Sequence, residues 1–225
     1  MSTGLKKHQP EIRFSGNLVT PDEIDAYTVY TVVCPAVVNA SVGTAVGTST
    51  QARAIGFASG SRFLDYPRNL RVVVSVASGS TKGGTLAVVG KDQFGQAISE
   101  SLAVAVAADG GTTEGTKVFM EVTAGTFTFG TANAGNGTCE VGCGIVGTTA
   151  LFGLPVKLGA AANIRRYNWT ANNVSVPVGT IGADQYDLTL HAVKAWKTMA
   201  GTEAFQVWVK STYNAEYDAN NLTYV

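Results

Sequence analysis

The 225-residue sequence has little charge of either sign and no excess of one over the other. Lys and Arg number 16, Asp and Glu number 16, and together they make up 14% of the chain. A protein whose main task is to hold nucleic acid is normally basic, because neutralising phosphates supplies most of the non-specific affinity. Nucleic acid is therefore not expected as a partner. A charge-poor surface also gives little self-repulsion, which favours association with copies of the same chain or with other proteins.

Long hydrophobic runs are also missing. The longest apolar stretches, Arg71–Ala77 and Leu102–Ala108, are far shorter than the ~20 residues that span a bilayer. The first ten residues, Met1–Pro10, are polar and lead into no apolar run of the kind that a secretory signal requires. We therefore expect no membrane partner and a protein that is made and stays in the cytoplasm.

Cysteine is scarce, with Cys34, Cys139 and Cys143 as the three examples. An odd number in a cytoplasmic chain of this size predicts free, buried thiols. Cys139 and Cys143 are four residues apart, but without a nearby His or a second Cys pair they cannot complete a tetrahedral zinc site. Two inert thiols are expected, and a local disulfide is the alternative.

Histidine is scarcer still, and His8 and His191 are its two examples. In a predicted strand over Tyr186–Trp196, His191 shares the polar face with Asp187 and Thr189, so a His–Asp couple is conceivable. A catalytic triad would also need a nucleophile and oxyanion donors, and no G-x-S-x-G elbow surrounds any serine. We therefore interpret His191 as a surface residue and expect no enzyme and no catalytic residue.

Three further motifs lack the context that their chemistry needs. Gly142–Gly147 matches G-x-G-x-x-G, but no long helix and no acidic residue about 20 positions on follow it, so a nucleotide site is not expected. The acidic groups Asp22/Glu23/Asp25 and Asp184/Asp187 lack the ordered spacing of a calcium loop. Five N-x-S/T sequons indicate polar turns; they begin at Asn39, Asn136, Asn168, Asn173 and Asn221. No cofactor and no metal site is predicted.

What the sequence does contain is a succession of short strand signals separated by turn residues, among them 26 glycines. This pattern predicts an all-β fold, with one jelly-roll or β-sandwich domain of about ten to twelve short strands over residues 27–212. An extended N-terminal arm over 1–26 and a C-terminal tail over 213–225 flank it. The predicted strands are Tyr27–Val33, Leu70–Val76, Thr85–Lys91, Gln96–Val106, Lys117–Val122, Thr126–Phe129, Asn163–Asn168, Val174–Val178, Tyr186–Trp196 and Glu203–Lys210.

Turns and strand faces are predicted as well. Asp92–Gly95 suits a type I turn that closes a hairpin, while Asp109–Gly111 is a turn and Thr131–Gly137 a loop. A change of phase near Ala192 suggests a bulge inside Tyr186–Trp196.

One strand face contains a charge. In Gln96–Val106 the residues Ile98, Leu102, Val104 and Val106 share the inward face, and the same register includes Glu100. Either the strand bulges there, or Glu100 lies near the sheet end and reaches solvent or a partner, because an unpaired buried carboxylate is costly.

Aromatic side chains offer candidate binding surfaces. Core packing is expected for most of them. Trp208, which shares a strand face with Gln206 and Lys210, is a candidate interface anchor. Together the aromatic residues could instead form a sugar-binding platform; they are Trp169, Trp196, Trp208, Tyr27, Tyr30, Tyr167 and Tyr186.

Four segments resemble those of virion structural proteins of tailed bacteriophages. They are Asp65–Val73 (DYPRNLRVV), Val88–Glu100 (VVGKDQFGQAISE), Gly115–Phe119 (GTKVF) and Gly153–Pro155 (GLP). In that family a strand with Pro-Arg-Asn enters a sheet, a D-x-x-G turn leads to a strand ending near Ser/Thr-Glu, and a G-T-K-x-F strand follows. The resemblance covers Asp65 to Val122 well and Gly153 to Lys157 loosely, and it leaves both termini unmatched.

The resemblance implies a scaffold without catalytic residues, present in many copies on the particle. The first expectation is a capsid decoration or cement protein that forms a homo-oligomer, binds the major capsid protein and is assembled into the virion in the host cytoplasm. The family covers neck and tail proteins too, so a ring, adaptor or fibre-base component is the alternative. A glycan-binding module is a further one.

Overall fold

The computed structural model describes most of the chain, in thirteen stretches. They are residues 11–15, 25–33, 38–47, 50–57, 62–77, 81–108, 110–130, 137–143, 150–158, 164–171, 174–178, 186–194 and 204–210. Within these stretches the structure contains no helical segment with the length and hydropathy of a membrane span.

Eighteen strands, and no helix, are found in the described stretches. They are β1 Glu11–Ser15, β2 Asp25–Val33, β3 Val38–Gly47, β4 Ala52–Ala54, β5 Gly56–Phe57, β6 Phe63–Arg68, β7 Leu70–Ser75, β8 Thr81–Lys91, β9 Ala97–Ala108, β10 Gly110–Glu114, β11 Phe119–Phe129, β12 Gly137–Cys143, β13 Leu151–Gly153, β14 Ile164–Ala171, β15 Val174–Val178, β16 Tyr186–Asp187, β17 Ala192–Lys194 and β18 Ala204–Lys210. The all-β prediction is confirmed. The predicted ten to twelve strands were too few, because several strands have two or three residues and others consist of small residues without clean alternation.

The chain divides into two compact units built from interleaved stretches. Unit 1 comprises residues 1–35, 156–191 and 201–225, and unit 2 comprises residues 36–155 and 192–200. The boundaries predicted at 26/27 and 212/213 both lie within unit 1 and stay predictions. Strand β1 falls inside the segment predicted as an irregular arm, where it pairs with β2 from Glu11↔Val29 to Ser15↔Asp25.

Unit 1 contains one antiparallel sheet in the order β1-β2-β18-β14-β15. In β18 the alternation predicted from the sequence holds, since Val207 and Val209 are buried while Gln206 and Trp208 are half-buried. Alternation of β-branched residues inward and larger polar or aromatic residues outward is typical of a sheet with one buried face.

Unit 2 is a sandwich of two sheets. The β7 sheet has the order β10-β7-β12-β3-β5, and the β11 sheet contains β17-β13-β6-β11-β8-β9 with β4 also paired to β11. Both contribute to one hydrophobic core, formed by Val42, Ala45, Ile55, Leu64, Leu70, Val72, Val74, Leu86, Val88, Leu102, Val104, Phe119, Val122, Phe127, Phe129, Cys139, Val141 and Cys143. Two sheets that share a core in this way form a β-sandwich, which agrees with the predicted fold class.

The predicted hairpin between β8 and β9 is confirmed. The main-chain N–H of Gly95 donates to the carbonyl of Asp92 at 3.1 Å, and the Oδ1 of Asp92 accepts from the N–H groups of Phe94 and Gln96, each at 2.8 Å. Gly95 has a φ of +78°, the left-handed conformation that a three-residue hairpin loop needs at its last position. The Asp and the Gly therefore define the turn, as the sequence indicated.

Three predictions about strands were wrong. The strand predicted over Tyr186–Trp196 is interrupted by a turn at residues 188–191, because the Oδ1 of Asp187 accepts from the N–H groups of Thr189 and Leu190 and caps that turn. The separate strands Lys117–Val122 and Thr126–Phe129 are one strand, β11.

The third error concerns Val106, which was predicted to face inward but has 54% of its surface exposed. A register shift between β8 and β9, located between Lys82 and Gly84, changes the phase of β9 after Val104. The predicted turn over Asp109–Gly111 and loop over Thr131–Gly137 were wrong at their last residues, because Gly110 and Gly111 begin β10 and Gly137 begins β12. Asp109 and residues 131–136 lie outside the described residues.

Candidate functional site

The segments of the four motifs meet at one end of the unit 2 sandwich, where the chain crosses between the two sheets. Three crossings occur there: β6 to β7 at residue 69, β10 to β11 at residues 115–118, and β12 to β13 ahead of residue 151. We call the contacts that join these crossings the crossing junction.

Asn69 is the centre of the crossing junction and is fully buried. Its Nδ2 donates to the carbonyl of Gly115 at 2.9 Å, and its Oδ1 accepts from the N–H of Leu151 at 3.0 Å. The N–H of Gly115 also donates to the carbonyl of Leu70 at 2.8 Å. One side-chain amide thus supplies the donor and the acceptor that two other crossings need, which satisfies main-chain groups that would be costly to bury unpaired.

Glu100 holds the β10–β11 crossing from a second direction. Its Oε1 accepts from the N–H of Thr116 at 2.6 Å, the hydroxyl of Thr116 at 3.0 Å and the N–H of Lys117 at 3.3 Å. Its Oε2 is buried without a hydrogen-bond partner among the described residues. A Cβ added to Gly115 would lie 2.6 Å from this Oε2, so a larger residue here would have to displace the carboxylate.

Of the two alternatives that the sequence offers for Glu100, the bulge is wrong. The register of β9 against β8 is regular from Lys91↔Ala97 to Gly84↔Val104, so no bulge lies at Glu100. The half-buried carboxylate binds the main chain of the β10–β11 crossing, and a contact with a partner stays a prediction. Charge-assisted hydrogen bonds to consecutive N–H groups explain why a carboxylate is tolerated on an inward face.

At Gly153 the four motif segments pack directly against each other. A Cβ at this position would lie 2.7 Å from Cγ1 of Val118, 2.9 Å from Cβ of Pro67 and 3.0 Å from Cδ of Gln93. These three neighbours belong to the other three motif segments and are 25 or more positions apart from each other along the chain. Glycine is therefore needed here for close approach, without any special backbone conformation.

Arg68, at the β6–β7 crossing, is an almost fully buried cation. Its Nη2 lies 2.7 Å from Oδ1 of Asp65, and its side chain is 6% exposed against 40% for Asp65. Its Nε and Nη1 are buried without a hydrogen-bond partner among the described residues. The Asp65–Arg68 ion pair therefore fixes the end of β6, while two of the guanidinium donors stay buried without a hydrogen bond to the described residues.

The thiol candidates lie in β12. Cys139 and Cys143 are free and buried, as predicted for these two, while Cys34 lies outside the described residues. Four residues of strand separate their Cα atoms by ~14 Å, too far for the alternative of a local disulfide. Burial, with a smaller effect of Glu140, raises the pKa of Cys139 from 9.0 to about 12, so this thiol is a poor nucleophile.

His191 is not on a strand. It lies in the turn after β16 with a φ of +49°, and its Nδ1 accepts from the N–H of Leu158 at 3.0 Å. Asp187 uses its Oδ1 to cap the same turn. The strand phase that suggested a His–Asp couple is thus absent. Asp187 binds the main chain of its own turn, and His191 binds that of Leu158, 33 positions away.

Around the remaining motifs, the described residues form no chemical site. Gly142 and Cys143 end β12, where both pair with β7, so G-x-G-x-x-G begins inside a strand; residues 144–149 lie outside the described part. Among the described residues, no three His, Cys, Asp or Glu side chains cluster so as to hold a metal ion. Of the acidic groups, Asp22, Glu23 and Asp184 lie outside the described residues.

Sequons and aromatic residues are placed only in part. Asn39 and Asn168 lie in β3 and β14, and the other three sequon asparagines lie outside the described residues. Tyr30 is buried, and Trp208 is half-buried in mid-strand. Trp208 as an interface anchor stays a prediction.

Sequence reasoning missed the residues that matter most at the crossing junction. Asn69 and Gly153 were noticed as parts of motifs and not as partners. Away from the crossing junction, the buried Lys82, whose Nζ lies 5.8 Å from the Phe129 ring centroid, also carried no sequence signal, because lysine in a strand is usually exposed.

No protein-family model and no curated protein matches this chain. Among solved structures, one from "Structure of infectious bursal disease virus Gx strain" matches with 11% sequence identity over 87% of this chain and 40% of that chain, at a TM-score of 0.18. This chain therefore spans less than half of the viral chain, and a TM-score this low carries no argument about fold or function.

Proposed function

We propose that this chain is a non-enzymatic structural protein of a tailed-bacteriophage particle, in which it binds the major capsid shell as a decoration or cement protein. One observation carries the proposal. The residues that resemble tailed-phage virion proteins bind each other and the main chain at the crossing junction. In a scaffold of this kind, the motif residues hold the sandwich together and leave its outer surfaces to make contacts.

Composition supports assembly as the task. The chain has no net charge and 14% charged residues, so copies repel each other little. On a symmetric shell, many weak contacts add through multivalency, and no single strong site is needed. The proposed partners are other copies of this chain, the major capsid protein and other virion proteins, with the particle assembled in the host cytoplasm.

Copy number in purified particles tests the proposal. Quantitative mass spectrometry should find on the order of hundreds of copies per particle for a protein of the head shell. About six or twelve copies would instead fit the neck or tail alternative. Absence from purified particles of the producing phage would overturn the virion assignment altogether.

A binding experiment tests the role of the N-terminal segment. Removal of residues 1–26 would also remove β1 and the start of β2, so weaker binding could reflect a damaged sheet. Removal of residues 1–10 leaves every described strand in place. Shells that lack the protein should bind this shorter chain more weakly than the full chain, and equal binding would contradict a contact through this segment.

A further inference from the structure

Strand β1 forms one edge of the unit 1 sheet. It pairs with β2 from Glu11↔Val29 to Ser15↔Asp25, and among the described strands none pairs with its other side, which we call the outer edge. Main-chain N–H and C=O groups on the edge of a sheet can hydrogen-bond to a further strand. The five residues of β1, EIRFS, include no proline and no glycine that would hinder such an addition.

Other sheet edges of the protein are protected against strand addition. At the opposite edge of the unit 1 sheet, β15 contains Pro177, which has no N–H to donate. In unit 2, the edge strand β9 accepts side-chain hydrogen bonds at two carbonyls. Nζ of Lys117 donates to the carbonyl of Ser99 at 2.6 Å, and Oγ1 of Thr113 donates to that of Ala103 at 2.8 Å. Of these three edges, the outer edge of β1 is therefore best suited to bind another strand.

The sequence of β1 allows one charge-matched pairing with the same edge of a second copy. Outward main-chain groups come from alternate residues, so antiparallel pairing of two copies joins odd positions with odd and even with even. A pairing centred on Glu11 or on Arg13 places two identical charges opposite each other, which is destabilising. Centres at Phe14 or Ser15 shorten the ladder and give neither charge an opposite partner. A pairing centred on Ile12 places Glu11 opposite Arg13 of the second copy, and does so twice.

We propose that the outer edge of β1 binds the outer edge of β1 in a second copy of this chain. The two strands are antiparallel, and the two-fold axis passes between the two Ile12 residues, perpendicular to the sheet. The unit 1 sheets of both copies then form one continuous sheet, and the contact is isologous. This inference rests on the proposed function in one respect: it names the edge for the self-association proposed there.

The short length of β1 sets the strength of this contact. The charge-matched part, Glu11–Arg13, is ~10 Å long at ~3.4 Å per residue. A standard stable interface buries about 800 Å² per partner, which a ladder of this length does not approach. The contact is therefore weak and depends on concentration in solution, and it gains strength in an assembly where several contacts act together.

Charge reversal tests the edge and the register together. Sedimentation equilibrium up to ~1 mM, the range of weak contacts, should show that the full chain self-associates. Glu11→Arg and Arg13→Glu, each alone, should weaken association about tenfold or more, because both charge pairs then join like charges. The double variant Glu11→Arg/Arg13→Glu restores opposite charges in the register centred on Ile12 and should associate like the unaltered chain. Thr112→Lys, at an exposed position of β10, is the control and should change nothing.

A cysteine substitution locates the axis. Ile12→Cys places two thiols directly opposite each other, with Cα atoms ~4.5–5.5 Å apart, which is within the range of a disulfide. Mild oxidation should therefore give a covalent dimer, and mass spectrometry should find the two residue-12 peptides joined. Ser15→Cys is the matched control on the same strand. Its Cα atoms would lie ~20 Å apart in this register, so it should give no such dimer.

Each failure has a distinct meaning. If both single charge reversals associate like the unaltered chain, the outer edge of β1 is not the contact. Loss in both without recovery in the double variant, or cross-linking at residue 15 that equals that at residue 12, overturns the register. A chain that stays monomeric at every concentration overturns the contact, while copy number in particles decides the virion assignment separately.

The charge reversals are compatible with the fold of a single chain. In β2 the residues opposite Glu11 and Arg13 are Val29 and Tyr27, which are uncharged, so neither reversal places like charges directly opposite each other within one sheet. Circular dichroism checks that the variants keep the fold.

Discussion

Substitution of Asn69 by Ala tests whether the crossing junction stabilises the sandwich. The change removes a donor from the carbonyl of Gly115 and an acceptor from the N–H of Leu151, and both groups then lack their side-chain partner in a site with 0% exposure at residue 69. An unsatisfied buried group costs ~1–3 kcal/mol. The expected fall in the free energy of unfolding is therefore ~2–6 kcal/mol, a large share of the ~5–15 kcal/mol of a typical domain.

Urea denaturation followed by circular dichroism measures this fall, and hydrogen exchange at the Leu151 amide locates it. Gln96→Ala removes an amide side chain that is exposed and should change stability by no more than ~0.5 kcal/mol. Asn69→Asp keeps an acceptor for Leu151 but not a donor for Gly115, so it should not rescue the loss. A fall below ~1 kcal/mol for Asn69→Ala, or an unchanged exchange rate at Leu151, would refute the reasoning.

Three further substitutions probe neighbouring features. Gly153→Ala should lower the thermal unfolding temperature, at a cost of ~1–3 kcal/mol for overpacking, because its Cβ would overlap Val118 and Pro67. Glu100→Ala should cost ~1.5–3 kcal/mol in urea denaturation, as charged hydrogen bonds to the β10–β11 crossing are lost, and Glu100→Gln less. For Cys139 the folded state keeps its thiol proton above pH 9.0, where the unfolded chain loses it, so the free energy of unfolding should fall as the pH rises from 9 towards about 12.

Each of these three predictions has its own control variant. Gly56→Ala, where the nearest atom to a new Cβ is the Thr44 carbonyl oxygen at 3.5 Å, should be nearly neutral, and equal costs at both glycines would rule out crowding as the cause. If Glu100→Gln is as damaging as Glu100→Ala, the acceptor at Oε1 is not what holds the crossing. Cys139→Ala should remove the alkaline slope; a slope that persists unchanged in the variant would assign it to other groups.

Strands were predictable where alternation is strong and local. Strand β15 matches its predicted range, and the β8–β9 hairpin follows from a turn that its own Asp and Gly determine. Strands β3 and β12 contain many Gly, Ala, Thr and Ser residues, so their hydrophobic pattern is faint. In Tyr186–Trp196 the alternation was real, but the short-range capping by Asp187 prevailed over it.

The contacts of the crossing junction could not be predicted from local sequence patterns. The two side-chain bonds of Asn69 join residues 46 and 82 positions away, and no periodicity connects such positions. Motif resemblance pointed to the right segments without indicating that they touch. The sequence shows that Glu100 is out of place on an inward strand face. It does not show the hydrogen-bond partners of the carboxylate, which are the N–H groups of Thr116 and Lys117 and come near only in the folded sandwich.

The repeated passage of the chain between the two sheets has a consequence for folding. Strands β6 to β13 alternate between the β11 sheet and the β7 sheet several times, so neither sheet can be completed before the other has begun to form. Such non-local pairing is typical of domains that fold in milliseconds to seconds. During that time unpaired strand edges are exposed, and a chain in this state is prone to aggregate with other incompletely folded chains.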